Sequence, residues 1–400
     1  MKNFFICFYS FAVISIFGFG HIRIPGFPFN FGQISYILLL VSCFIIDRKA
    51  LGDKYLGMYA AFIFFYFLSS VFTGFDQIFF TILKRQIFIV IPLYWGTKIL
   101  ISRFNTIKPL LIPLIIIGIL DTFVTIGQVY GVQYFDVLLR FLGVYEIEQV
   151  EYMERRDLTM GLSMNGIYSS PVHNGHNLIV FFCMSLALIR KKVSVIRLLP
   201  ALIIFIGVFY CQQRSAFLIA VVSFLIFFFI LLKKKILKKS HLLLISILIL
   251  LVIFSNVKML SDIFAESRFS DIKLADRSSL FLDALMFVFD NPLIGGYHKF
   301  IKIYGMPPHN TIISAFMAGG LIGGLILIYM MFSQMLFAYK KSKQYKSILF
   351  NVFIITFMAL IADSMFHNTG YVQYDEATFI IWALILMFNN FERNENNICK

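Results

Sequence analysis

The chain has 400 residues, of which 60% are hydrophobic and only 14% charged, and its mean hydropathy is +0.84. A soluble domain carries about 45–50% apolar and roughly 25% charged residues, so a soluble globule, a disordered chain and a nucleic-acid-binding domain are excluded and the bilayer has to be the solvent. The net charge of +14 is not a nucleic-acid signature here, because the basic residues sit in short runs between apolar stretches, as the positive-inside rule requires.

A spanning helix needs about 20 mostly apolar residues. In chain order, twelve stretches qualify: 4–20, 31–46, 55–72, 86–101, 109–128, 174–189, 195–211, 215–232, 241–257, 310–332, 347–362 and 377–390. The expected fold is an all-α polytopic membrane protein of about 12 transmembrane helices, with residues 1–400 as a single membrane domain. The first stretch follows Met1-Lys2-Asn3 without an A-x-A cleavage pattern and reads as an uncleaved helix. The stretch 75–83 is apolar but too short to span, and reads as an interfacial or re-entrant piece. The five cysteines, Cys7, Cys43, Cys183, Cys211 and Cys399, have no paired spacing, so neither a disulfide framework nor a metal site is expected.

Placing the N-terminus inside puts 22 of the 35 Lys and Arg on the cytoplasmic side. The runs at 233–239 and 340–346 fix that frame. Both termini are then expected in the cytoplasm. Two long loops fall outside, 129–173 and 258–308, and the inside loops are short. Chemistry is therefore expected on the outer face. A nucleotide-using enzyme would need a cytoplasmic domain, and no phosphate-binding loop or internal repeat is present.

Three signals carry chemistry. The first is the polar turn Cys211-Gln212-Gln213-Arg214-Ser215 between two apolar runs. A membrane-edge Arg needs a partner or water, and its planar fork suits phosphate; the alternative is a snorkelling contact to lipid head groups. The second is the segment Asp276 to Asp290. At 100° per residue, Asp276, Ser279, Asp283 and Asp290 share one stripe, opposite Leu280, Phe281, Ala284, Leu285, Phe287 and Val288. This reads as an amphipathic helix on the membrane surface, with Arg277 projecting from its apolar side towards the bundle; the alternative is a structural ion pair. The third is Pro292-Leu293-Ile294-Gly295-Gly296, then Pro307-Pro308-His309-Asn310, then Gly319-Gly320-Leu321-Ile322-Gly323-Gly324. His309 and Asn310 open a helix on the outer side, where free N–H groups favour an anion; the alternatives are a cap or head-group contact for His309 and plain packing for the glycines.

Weaker candidates are Asp121 inside an apolar run, and His173 and His176 at another outward helix end. Asp363, His367, Asp375 and Glu376 lie in a short outer loop and could supply a base. Glu146, Glu148, Glu151, Glu154, Arg155 and Arg156 read as a solvated charged segment.

Arg-Ser at an outer turn, Arg277 in the next long outer loop, P-L-I-G-G, and H-N opening a helix that contains G-G-L-I-G-G resemble the O-antigen polymerase and O-antigen ligase family. The resemblance covers residues 205–330 in detail and the rest in topology. It implies a membrane-glycosyltransferase-like bundle in the bacterial inner membrane, with a periplasmic active face and no cofactor or metal. The implied substrate is an undecaprenyl-diphosphate-linked oligosaccharide, with a chain-length regulator as a protein partner. Arg214, Arg277 and His309 match the family's outer-face basic residues and would neutralise the diphosphate, with Asn310 beside them in substrate binding. Polymerisation of O-antigen or capsule repeat units is the favoured activity; ligation to lipid A-core is the alternative. A lipid-linked oligosaccharide flippase is the alternative from another class, but it would require midplane charges and repeats.

Overall fold

Four helix starts in this chain carry a polar side chain, Asn30, Asp53, Ser170 or Asn310, that accepts the first free N–H groups. The computed structural model describes residues 2–19, 30–47, 53–75, 77–130, 134, 164–168, 170–189, 194–236, 273–367, 370–372 and 376–398. Helix α1 (Lys2–Ile14) runs on as a π-helical turn to Phe19. Helix α2 (Phe31–Ile46) starts at a capping box, in which Asn30 Oδ1 accepts from Gln33 N–H and Gln33 Oε1 accepts from Asn30 N–H. Asp53 caps α3 (Lys54–Thr73), accepting from Tyr55 N–H at 2.8 Å.

Helix α4 (Gln77–Arg85) continues through a π-helical segment, Gln86–Val90, into α5 (Ile91–Phe104). Most of the apolar stretch 75–83 thus lies in α4, which is continuous with α5. Phe79–Phe104 forms one 26-residue candidate span, and Arg85 lies within it.

The remaining helices are α6 (Lys108–Val129), α7 (Pro171–Ser185, with a 3₁₀ tail to Ile189), α8 (Val195–Tyr210) and α9 (Arg214–Lys233). They are followed by α10 (Lys273–Asp290), α11 (Tyr297–Tyr304), α12 (Thr311–Gln344), α13 (Ile348–Phe366) and α14 (Glu376–Ile398). The described chain is 86% helical and has no strands.

Eight of these helices or runs are long and apolar enough to cross a membrane, and three shorter apolar ones stand at 31–46, 196–210 and 376–391. The stretch 241–257 lies outside the described residues, as do most of 129–173 and the stretch 258–272. The expected outer loop 258–308 contains two helices, α10 and α11. Large apolar side chains cover the outside as well as the core: Phe72 is 66% and Phe229 68% exposed on α3 and α9. A surface apolar to that extent is stable only against lipid.

The helices alternate in direction, so their ends collect at two poles. At one pole, Lys98 pairs with Asp53 at 2.8 Å, Arg103 approaches Asp47 at 3.7 Å, and the Lys234 ammonium donates to the Lys346 carbonyl. The histidines of α7 and α13 lie at the other pole. Helix α12 packs along α3, and α13 packs between α7, α9 and α14.

Helix α12 is broken at Gly320, which has φ 62° and ψ −166°. The Pro292–Gly296 turn crosses the break: Leu321 N–H donates to Pro292 O and Gly296 N–H to Met317 O, both at 2.7 Å. Groups freed by the break are thereby paired with protein, the condition for broken helices at membrane depth. A Cβ on Gly320 would overlap the Leu293 carbonyl oxygen. The glycines of this segment therefore serve close packing.

Helix α10 departs from its wheel. Leu280 and Ala284 are buried, as expected, but Phe281, Leu282, Met286 and Phe289 are exposed, Phe289 to 78%. The apolar surface wraps further round the helix than one face.

A candidate site at the histidine pole

The C-terminal turn of α13 is met by the first turns of three helices. Pro171 at the first position and Ser170 as cap start α7, with Ser170 Oγ accepting from His173 N–H at 3.2 Å. This places His176 against α13, where its Nδ1 lies 2.7 Å from Asp363 Oδ2. Both side chains are at most 3% exposed. An ionised carboxylate only accepts hydrogen bonds, so Nδ1 carries the hydrogen of this contact. The other carboxylate oxygen lies 4.0 Å from His367 Nε2, which is in turn 2.6 Å from Ser215 Oγ in the first turn of α9. From the third helix, Asn310 Nδ2 donates to Met365 O at 3.3 Å, while its Oδ1 accepts from Ile312 and Ile313 N–H and caps α12. Each helix start brings partial positive charge. Asp363 is the buried carboxylate at their meeting point.

Beside this junction lies a small cleft. His173, His176 and Asn177 of α7 form one wall, Arg85 and Glu376 another, and Phe17 closes it. Arg85 Nε donates to Glu376 Oε1. His176 Nε2 is a buried atom with no hydrogen-bond partner among the described residues.

The residues singled out in the sequence distribute as follows. Arg214 is the first, exposed residue of α9 and follows Gln212, whose φ is 56°. His309 is half-buried with φ 49°, immediately before Asn310. Asn310, not His309, is the cap, so the capping alternative for His309 does not hold. Arg277 lies in α10, and its side chain is outside the described residues, as is that of Asp276. The charged segment from Glu146 to Arg156 and Asp375 also lie outside them.

Asp121 is fully buried in α6 and accepts from Ile167 N–H at 2.9 Å, tying the chain before α7 to the bundle. The His173 ring packs on Tyr168 at 4.9 Å between centroids. The neighbours Ser215 and Asn310 place Arg214 and His309 at the same helix terminus as His176, Asp363 and His367.

Sequence reading missed Arg85, and a signal was there: Lys84-Arg85 interrupts an apolar run. Setting the span at 86–101 put Arg85 at a surface. It also missed His298, buried in α11 with Nε2 2.8 Å from Tyr66 Oη. No local pattern marks that residue. No protein-family model matches this chain, and no curated protein matches it at a significant level.

Proposed function

We propose that the chain is a multi-pass membrane glycosyltransferase of the bacterial inner membrane. It polymerises lipid-linked O-antigen or capsule repeat units on the periplasmic face, with both termini in the cytoplasm. The observation that carries this reading is the convergence of three helix N-termini, with Arg214 and His309 flanking it, on one buried His–Asp pair. Glycosyl transfer from undecaprenyl diphosphate develops charge on the departing diphosphate. Donors fixed in advance at that position stabilise the transition state. Arg214 and Arg277 supply planar forks suited to phosphate oxygens, and the start of α12 beside His309 adds its partial positive charge. The chemistry needs no nucleotide sugar and no metal. The substrate partner is the undecaprenyl-diphosphate-linked oligosaccharide, with a chain-length regulator beside the enzyme.

Lipopolysaccharide from a deletion strain tests the proposal. Loss of a polymerase leaves a single repeat unit on lipid A-core. An unsubstituted core with polymer accumulating on undecaprenyl diphosphate would reassign the chain to ligation. Unpolymerised units retained inside would reassign it to transport.

A further inference from the structure

At the pole opposite the histidines, two lysine runs come together. Lys233, Lys234 and Lys235 end α9, while Lys340, Lys341, Lys343 and Lys346 end α12 and lead into α13. The Lys234 ammonium donates to the Lys346 carbonyl and ties the two ends across 112 positions of sequence. Helices α9 and α12 contain no Asp or Glu, and the one carboxylate of α13, Asp363, stands at its far end. Among the described residues, no carboxylate pairs with any of these ammonium groups, and Asp53 and Asp47 of this pole are taken by Lys98 and Arg103. A helix C-terminus offsets about half a charge, too little for two such runs. Their side chains are also held in place. Lys343 Nζ lies 4.4 Å from the Tyr339 ring centre, and Lys341 Nζ lies 5.8 and 5.6 Å from those of Phe337 and Tyr345. Phe332, Leu336 and Tyr339 are each more than half exposed, and their spacing puts them on one stripe of α12 that runs to Lys343.

We infer that the seam between the end of α9 and the α12–α13 turn binds an anionic phospholipid of the leaflet at that pole. The inference needs only the bilayer around the chain, not the glycosyl transfer proposed above. An exposed apolar stripe that ends in an interfacial tyrosine and a cluster of ammonium groups has the profile of one lipid molecule, acyl chain along the stripe and phosphate at its end. A soluble polyanion would use the ammonium groups and leave the stripe idle. Lys234, Lys343 and Lys346 are the donors assigned to the phosphate, and Phe332 and Leu336 the surface assigned to the chain. A net negative head group relieves the repulsion between the two lysine runs, which a zwitterionic one does not. The bound lipid thereby fastens α9 to the α12–α13 turn, and because it binds the folded state alone it raises stability.

The test uses the full chain purified in an uncharged detergent. Phosphatidylglycerol, phosphatidylcholine or glycerol phosphate is added at equal phosphate concentration, thermal unfolding is followed, and retained lipid is counted by native mass spectrometry. Phosphatidylglycerol should raise the melting temperature and stay bound, and the other two should do neither. Each lysine near an anionic head group is worth about fivefold in affinity. Lys234→Gln combined with Lys346→Gln should therefore weaken phosphatidylglycerol binding about 25-fold, while Lys299→Gln, an exposed change on α11, should leave it as in wild type. Equal stabilisation by phosphatidylcholine overturns the requirement for negative charge, and equal stabilisation by glycerol phosphate overturns the lipid in favour of a soluble anion. Unchanged affinity in K234Q/K346Q moves the lipid away from this seam. Should that variant fail to fold, Lys343→Gln, at an exposed position, decides: affinity should fall about fivefold, and an unchanged value overturns the site.

Discussion

His176 and Asp363 lie 187 positions apart in the chain, yet His176 Nδ1 and Asp363 Oδ2 meet at 2.7 Å in the interior of the bundle. Their pairing clamps the start of α7 to the end of α13. Because the carboxylate also faces His367, it is the common partner of two imidazoles from different turns.

Removal of that carboxylate should therefore cost stability. Asp363→Ala leaves a buried Nδ1–H without its acceptor, a penalty of about 1–3 kcal/mol. Asp363→Asn keeps an acceptor oxygen and should cost less. Thermal unfolding of the detergent-purified variants should rank wild type above D363N above D363A. Equal melting temperatures for all three would mean that the pair has no structural weight.

The break in α12 gives a second expectation. Gly320 has φ 62°, and an added Cβ would collide with a backbone carbonyl that cannot move aside cheaply. Left-handed backbone alone costs an L-residue roughly 1–2 kcal/mol, and the overlap adds to it. Gly320→Ala should sharply reduce the monodisperse peak in fluorescence-detected size exclusion. Gly57→Ala, where nothing lies within 4 Å of the new atom, should leave that peak unchanged.

At the opposite pole, Asp53 links acid stability to fold. Burial pushes its carboxyl up, but the Lys98 ammonium at 2.8 Å and the Tyr55 N–H outweigh this and hold it below the ordinary value of 3.8. The folded pKa is thus the lower of the two. The contribution is complete above the unfolded value and is lost as pH falls through the folded one. Melting temperature should drop as the pH is taken below about 4, and Asp53→Asn should flatten that part of the curve. An identical acid limb in D53N would show that other carboxylates set it.

Orientation can be read with truncation fusions. Alkaline phosphatase joined after Gln212 should be active, and joined after Lys235 inactive, because the basic run from Lys233 should stay inside. Opposite activities would invert the frame and move the histidine pole to the cytoplasm.

On the donor side, Arg214→Lys should not recover what Arg214→Ala loses, because an ammonium keeps the charge without the fork. Each should lower polymer formation about 10²–10³-fold, the scale of one lost oxyanion donor. Arg277→Ala and His309→Ala should each abolish or greatly shorten the polymer, and the double variant should be little worse than the worse single one, since under the proposed function both residues act on one diphosphate. Multiplying defects would indicate separate sites. Transfer should also survive EDTA; abolition rescued by a divalent ion would assign charge neutralisation to a metal.

The membrane class and most of the helices were legible in the sequence. Apolar content summed over about 20 consecutive residues is a local property, and lipid solvation reads it almost independently of neighbours. That is why α3, α6, α9 and α13 stand where their apolar runs lie. Asn310 was equally legible as a residue at a helix start, since capping depends on the next three N–H groups.

The rest depended on how each helix is rotated about its axis and which helix it meets, quantities that only packing sets. Nothing near position 176 foretells Asp363, and nothing near 298 foretells Tyr66. Arg85 falls one residue outside the expected span 86–101; its Glu376 partner, brought in by α14 packing on α5, is 291 positions away. The break at Gly320 likewise needed the Pro292–Gly296 turn to satisfy its backbone. Local chemistry thus decided what each segment could be, and the pairing of distant polar groups, forced by the cost of burying them alone, decided where the site lies.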